Sequence, residues 1–272
     1  EHEHSHEHEH GDEHEHGHGH GHEHGAGHHH DHGHAHPHPP HVSTVSLEQE
    51  VLAKNSLQAE RNRGWLEGRN ILALNLVSSP GAGKTALLER TIQDVGGELA
   101  ISVVEGDQET LYDAERIRAT GCRAVQVNTG TGCHLDAEML GHAVRQLNPP
   151  AGSTLMIENV GNLVCPAAFD LGEAAKVVVF SVTEGEDKPI KYPDMFGVAD
   201  LVLLNKTDLL PHLDFDMPQA MAALRAVNHR VEVVPISART GDGMEAWLDW
   251  LLARRARSGA PLSASPVPAQ VG

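Results

Sequence analysis

From residue 71 onward the chain alternates short apolar runs with longer stretches whose apolar positions recur every three or four residues. The runs predict strands over 71–77, 99–104, 123–127, 154–158, 176–182, 200–204 and 231–236. The spaced stretches predict helices over 84–94, 109–119, 135–147, 189–196, 216–227 and 243–254. Runs with hardly a polar residue, such as Leu201-Val202-Leu203-Leu204, imply strands buried on both faces. Strand and helix in alternation predict an α/β fold, a mostly parallel sheet flanked by helices. Upstream, Ser46-Leu47-Glu48-Gln49 has the form of a capping box, Ser46 as N-cap and Gln49 three residues on. Leu47, Val51 and Leu52 then predict the apolar face of an amphipathic helix reaching about Glu60.

The pattern stops at both ends. Residues 1–41 hold 19 of the 23 histidines and nine acidic side chains, with no Lys, Arg, large aliphatic or aromatic residue. Such a segment cannot bury enough apolar surface to offset the entropy of ordering, so disorder is expected. Residues 258–272 are rich in Pro, Ser and Ala and are expected to be a second disordered end. The organisation predicted is a His-rich tail (1–41), an N-terminal helix and linker (42–68), a nucleotide-binding domain (69–257) and a C-terminal tail (258–272).

A net charge of −18 argues against nucleic acid as a partner. No apolar run reaches the roughly 20 residues of a membrane span. The opening Glu1-His2-Glu3-His4 is neither basic nor apolar, so no secretory leader is expected. Three cysteines are too few for a disulfide framework and suit a reducing cytosol, giving a cytoplasmic expectation.

Polar motifs fall just after the apolar runs, where α/β sheets bind ligands. After 71–77 comes Ser78-Ser79-Pro80-Gly81-Ala82-Gly83-Lys84-Thr85, a P-loop in which Ser78 replaces the first glycine. Gly81, Ala82 and Gly83 are expected to wrap backbone N–H groups around phosphates, at a helix N-terminus that favours anions. Lys84 is expected to reach the β- and γ-phosphates and the Thr85 hydroxyl to hold Mg²⁺. Asn205-Lys206-Thr207-Asp208 follows 200–204 and matches the N-K-x-D of P-loop GTPases. The Asp208 carboxylate can accept from guanine N1–H and its 2-amino group, a donor pair adenine lacks. Ser237-Ala238-Arg239, after 231–236, resembles the second base-contacting loop of that class. GTP is therefore expected over ATP. Glu158, closing Leu155-Met156-Ile157, suits the outer shell of Mg²⁺, and Gly161 suits a γ-phosphate sensor. Asp107 is read either as a Mg²⁺ or water-positioning residue or as the N-cap of the next helix. No side chain stands out as a general base, so slow intrinsic hydrolysis is expected.

Cys133 and His134 are adjacent, and Cys165 lies a few residues past Gly161. Two thiolates and an imidazole suit Zn²⁺ or Ni²⁺. Spacing alone equally allows two buried thiols and a surface histidine, because no C-x-x-C is present. Cys122 is expected to be a small buried hydrophobe. Lys188 and Lys191 lie in a loop read either as solvated or as reaching nucleotide across a dimer.

Gly132-Cys133-His134-Leu135-Asp136-Ala137 and Glu158-Asn159-Val160-Gly161-Asn162-Leu163-Val164-Cys165-Pro166, joined to the P-loop, Glu105-Gly106-Asp107 and Asn205-Lys206-Thr207-Asp208, resemble the HypB family. These are SIMIBI-class GTPases of nickel insertion into [NiFe]-hydrogenase, and the resemblance spans about residues 46–255. The urease GTPases are similar in logic but carry Cys-Pro-His, whereas here Cys133 and His134 adjoin. The Cys-x-x-Cys-Gly-Cys string of some relatives does not occur in these 272 residues. The resemblance implies that Cys133, His134 and Cys165 bind Zn²⁺ or Ni²⁺ near a GTP-dependent homodimer interface. It also implies a HypA-type metallochaperone partner and delivery to the hydrogenase large subunit. The alternatives are a urease-type nickel GTPase, a zinc-handling GTPase, or a metal-storage protein with a regulatory nucleotide site.

The proximity of Cys165 to Gly161 leads to a further expectation: a loop ordered by γ-phosphate would carry Cys165 with it. In the tail, imidazoles among carboxylates, for example His2, His4, His6, His8, His10 and the run His28, His29, His30, suit many weak Ni²⁺ or Zn²⁺ sites. They are read as a nickel store that empties below pH about 6, since neutral imidazole is the ligand.

Overall fold

The structure is a computed structural model and describes residues 44–107, 112–130 and 132–258, with the side chains of residues 44–46, Asp107 and Tyr112 left out. The expectations for the two tails, including every tail histidine, lie outside the described residues.

Seven strands form one parallel sheet: β1 (Leu72–Ser78), β2 (Ile101–Asp107), β3 (Arg123–Asn128), β4 (Thr154–Gly161), β5 (Ala175–Ser181), β6 (Leu201–Asn205) and β7 (Glu232–Pro235). Their spatial order is β3-β2-β4-β1-β5-β6-β7. Every run expected to be a strand is one. The helices are α1 (Thr44–Gly68), α2 (Lys84–Val95), α3 (Tyr112–Ala119), α4 (Ala137–Leu147), α5 (Cys165–Ala168), α6 (Lys188–Lys191), α7 (Pro193–Gly197), α8 (Met217–Val227) and α9 (Met244–Arg257).

Both sheet faces are covered, which explains the almost purely apolar strands. Leu72, Leu74 and Leu76 point toward a core shared with α2 and with Trp247 of α9, whose indole N–H donates to Thr91 Oγ1 at 2.9 Å. Alternate residues face the other way. Ala73 and Ile157 join a core with α4 and the end of α1, while Val178, Phe180 and Val202 join one with α7 and α8.

The differences from expectation have local causes. The helix expected over 189–196 is two short ones, because Pro193 lacks the N–H to continue α6 and restrains Tyr192 before it (φ −127°, ψ 55°). α4 starts at Ala137 rather than 135. Asp136 caps it, accepting from Met139 N–H at 2.7 Å, and Leu135 is wholly buried against Gly106, where a Cβ would come within 2.7 Å of it. β4 continues to Gly161, so Glu158 lies inside the strand rather than at its end. α1 begins at Thr44, two residues ahead of the expected Ser46 cap, and runs eight beyond Glu60. Leu47, Val51 and Leu52 are on its exposed side. Its buried stripe is Asn55, Ala59, Asn62 and Leu66, two of them amides, so apolar spacing marks the wrong face.

Candidate nucleotide and metal site

The nucleotide loops gather at the carboxyl end of the sheet. Gly81 and Gly83 have φ of +74° and +101°, a left-handed conformation that costs glycine little. Gly83 has a second constraint: a Cβ there would lie 2.6 Å from Asn205 Nδ2. Ser78, standing where a P-loop usually has glycine, ends β1; its hydroxyl accepts from Lys84 Nζ at 2.8 Å and donates to Ser79 O at 2.5 Å. Asn205 ties three loops together, donating to Ala82 O at 2.9 Å and accepting from Ala238 N–H at 3.1 Å. Lys206 is left-handed (φ 64°), unusual for a side chain with a Cβ, and lays its ammonium on Gly81 O at 2.7 Å. Asp208 accepts from the Ser237 hydroxyl at 2.7 Å, which orients the carboxylate. Between these loops lies a cavity of about 270 Å³, lined by Gly83, Ala86, Asn205, Asp208, Ala238 and Arg239.

Thr85 donates to Glu158 Oε1 at 2.8 Å. Burial pushes the Glu158 carboxyl up to about 7, against the pull of Lys84 and the Thr85 hydrogen bond. Burial also lowers Lys84. Glu158 Oε2 is buried and has no hydrogen-bond partner among the described residues. A buried carboxylate oxygen without a donor, beside a threonine hydroxyl and P-loop amides, fits a hydrated Mg²⁺. The Asp107 side chain lies outside the described residues. Gly161 abuts the P-loop: a Cβ there would sit 3.0 Å from Pro80 Cα.

The ligand atoms of Cys133, His134 and Cys165 all lie within 4.8 Å of one another. Cys133 Sγ is 3.6 Å from His134 Nδ1. The His134 ring lies 3.9 Å, centroid to centroid, from Phe169, and burial lowers its basicity. The Cys133 thiol is raised, chiefly by its hydrogen bond with Cys165. Metal binding needs deprotonated thiols and neutral imidazole, and a cation would displace these protons. So the structure brings together two residues before α4 and one at the start of α5. Cys122 is apart from them: half-buried, its thiol donates to Ile101 O at 3.3 Å and is pushed up to about 12 by burial.

Sequence reasoning missed a buried polar chain under this cluster. Asn159 Oδ1 accepts from Leu135 N–H at 3.1 Å, and its Nδ2 donates to Asn75 Oδ1 at 3.2 Å. Asn75 in turn donates to Glu173 Oε1 at 3.1 Å. Lys176, 3.7 Å from Glu173, donates to Pro166 O at 2.8 Å, holding α5 at the residue after Cys165. The available signal was an asparagine or lysine inside a strand buried on both faces, which is costly unless fully hydrogen-bonded.

Residues 72–235 match the family described as "CobW/HypB/UreG, nucleotide-binding domain". The HypB hydrogenase maturation factor of Rhizobium leguminosarum bv. viciae is 62% identical over 213 residues, covering 78% of this chain and 71% of that protein. This chain belongs to the HypB family of hydrogenase maturation factors. Two solved HypB structures carry the same fold. The one from Archaeoglobus fulgidus is 40% identical with a TM-score of 0.70, over 75% of this chain and 99% of that one. The one from Helicobacter pylori, in complex with nickel, is 34% identical with a TM-score of 0.71, over 78% and 99%. As a HypB-family member the chain is a P-loop nucleotide-binding protein of hydrogenase maturation. Among the described residues no helix is long and apolar enough to cross a membrane.

Proposed function

We propose that this HypB-family protein hydrolyses GTP slowly and uses the cycle to hold and release nickel for the [NiFe]-hydrogenase large subunit. The reading is carried by one juxtaposition. Gly161 packs on Pro80 of the P-loop, and four residues later Cys165 joins Cys133 and His134 within 4.8 Å. A change in the phosphate loop therefore reaches a metal ligand through one packing contact and four residues of chain.

In this reading Asp208 and Ala238 select guanine, and Gly81, Ala82, Gly83 and Lys84 hold the phosphates. Thr85 and Glu158, with Asp107, hold Mg²⁺ directly or through water. When bound, Mg²⁺ supplies charge neutralisation at the β- and γ-phosphates. Gly161 senses the γ-phosphate by close backbone approach. Nickel is the cargo. Three ligands per protomer leave a tetrahedral site one short, which a facing protomer of a GTP-dependent homodimer or a HypA-type metallochaperone would complete. Zn²⁺ suits the same ligands. The His-rich tail acts as a nickel store. The nickel complex of the H. pylori relative supports nickel as the ion, and the family supports hydrogenase maturation as the setting.

The test is paired: turnover of GTP against ATP, and Ni²⁺ against Zn²⁺ binding with GDP or a non-hydrolysable GTP analogue. GTP-selective turnover with nucleotide-dependent nickel binding is expected. Equal use of ATP, or no metal at Cys133, overturns the reading.

A further inference from the structure

We infer that α1 is the strap that sets the geometry of the metal cluster, and that Asn55 and Asn62 are its positioning residues. The inference rests on the reading of Cys133, His134 and Cys165 as metal ligands.

The cluster is assembled from two separate segments, one leading into α4 at Ala137 and one made of α5 and the loop that follows it to Gly172. Between these segments, both buried amides of α1 form hydrogen bonds. Asn55 Oδ1 accepts from Ala137 N–H at 2.9 Å, and its Nδ2 donates to Asp170 O at 2.7 Å. Asn62 Nδ2 donates to Ala137 O at 2.7 Å and to Leu171 O at 3.0 Å. One residue, Ala137, is thus gripped on both its backbone groups and tied twice to the other segment. Ala137 lies three residues past His134. Asp170 directly follows Phe169, whose ring lies against His134.

The seven-residue spacing of Asn55 and Asn62 puts them on one helix face, two turns apart. Both are buried, at 8% and 7% exposure. Leucines there would attach α1 to the domain by apolar contact alone. They would also leave the N–H and C=O of Ala137 and the carbonyls of Asp170 and Leu171 without these partners. An amide is a small side chain that donates and accepts at once, so it fixes the spacing between two strands of backbone. The approach is close throughout: a Cβ on Gly172 (φ +90°) would lie 2.5 Å from Ala59 O and 2.8 Å from Arg63 N. Arg63 adds an ion pair to Asp170 at 2.5 Å. From the far side Lys176 holds Pro166 O and Phe169 O, so the Cys165 segment is fixed on both flanks. The groups that orient metal ligands act through such contacts, and their loss lowers affinity without removing a ligand.

The experiment uses the full chain and Ni²⁺ held at set free concentrations by a chelator. The readout is the thiolate-to-nickel charge-transfer band, to which the tail contributes nothing because residues 1–41 contain no cysteine. Asn55→Ala and Asn62→Ala are expected to lose about 10–100-fold in nickel affinity, with GDP affinity unchanged. Replacing both thiols, Cys133→Ser with Cys165→Ser, tests the underlying reading separately: it abolishes the band if the two cysteines are ligands, and a wild-type band means the ligand reading fails. If the double replacement removes the band while both asparagine variants bind as wild type, the strap is wrong. Should the variants not fold, hydrogen exchange on the unaltered protein decides. The Ala137 N–H sits in the first turn of α4 and bonds Asn55 instead of a helix carbonyl, so it reads the strap directly. Nickel is expected to slow its exchange, by reciprocity. Exchange indifferent to nickel overturns the inference.

Discussion

Gly161 at the end of β4 and Pro80 in the P-loop are in backbone contact, close enough that a methyl group on residue 161 would meet Pro80 Cα at 3.0 Å. The contact joins the strand that leads to Cys165 with the loop that surrounds the phosphates. Gly161→Ala must therefore displace one of them by a few tenths of an ångström. It is expected to weaken a non-hydrolysable GTP analogue by about tenfold, or about 1.4 kcal/mol. GDP, which has no γ-phosphate to sense, is expected to change less. Calorimetric titration of both nucleotides checks this, and equal losses for the two would contradict it.

Glu158 makes stability depend on pH in a defined direction. Its folded-state carboxyl titrates near 7, above the 4.5 of the free side chain. Between those values the folded protein binds more protons than the unfolded one, so this group's contribution is present below about pH 4.5 and lost as pH rises through about 7. Glu158→Gln keeps an acceptor for Thr85 and carries no charge. Without nucleotide it is expected to be more stable than wild type at pH 8 by about 1–3 kcal/mol, a gain that vanishes near pH 4. Denaturant unfolding across that range measures it. Parallel wild-type and variant curves would show that Glu158 is not the titrating group.

The Ser237 hydroxyl on Asp208 Oδ1 fixes which way the carboxylate faces. Asp208→Asn presents an N–H donor where guanine offers only donors. It is expected to weaken GDP by at least about 100-fold and to favour xanthine nucleotides, whose 2-position is an acceptor. Competition between GDP and XDP reads the switch directly. An unchanged preference for guanine would remove Asp208 from the base site.

The layers of this fold were legible because strands buried on both faces leave long apolar runs, as at Leu201–Leu204. The nucleotide loops were legible because their chemistry is local: Gly83 and Lys84 act within a few residues of each other. What escaped was polar and non-local. Asn55 and Asn62 occupy the buried stripe of α1, so apolar spacing pointed instead to Leu47, Val51 and Leu52, which are exposed. The approach of Cys165 to Cys133 depends on strand order, with β4 set beside β2, and on Asn159 holding Leu135 N–H. Neither is written in the spacing of cysteines. The break at Tyr192 is, by contrast, written in the sequence, since Pro193 has no N–H with which to continue α6.

The central claim is that nucleotide state controls the metal cluster. It is tested most directly by the nickel affinity of the thiolate band in the full chain, measured with GDP and with a non-hydrolysable GTP analogue, alongside native mass. The account predicts tighter nickel with the GTP analogue, by about 5–150-fold, together with a shift to dimer, and loss of that difference in Cys165→Ala. The same nickel affinity in both nucleotide states would contradict it.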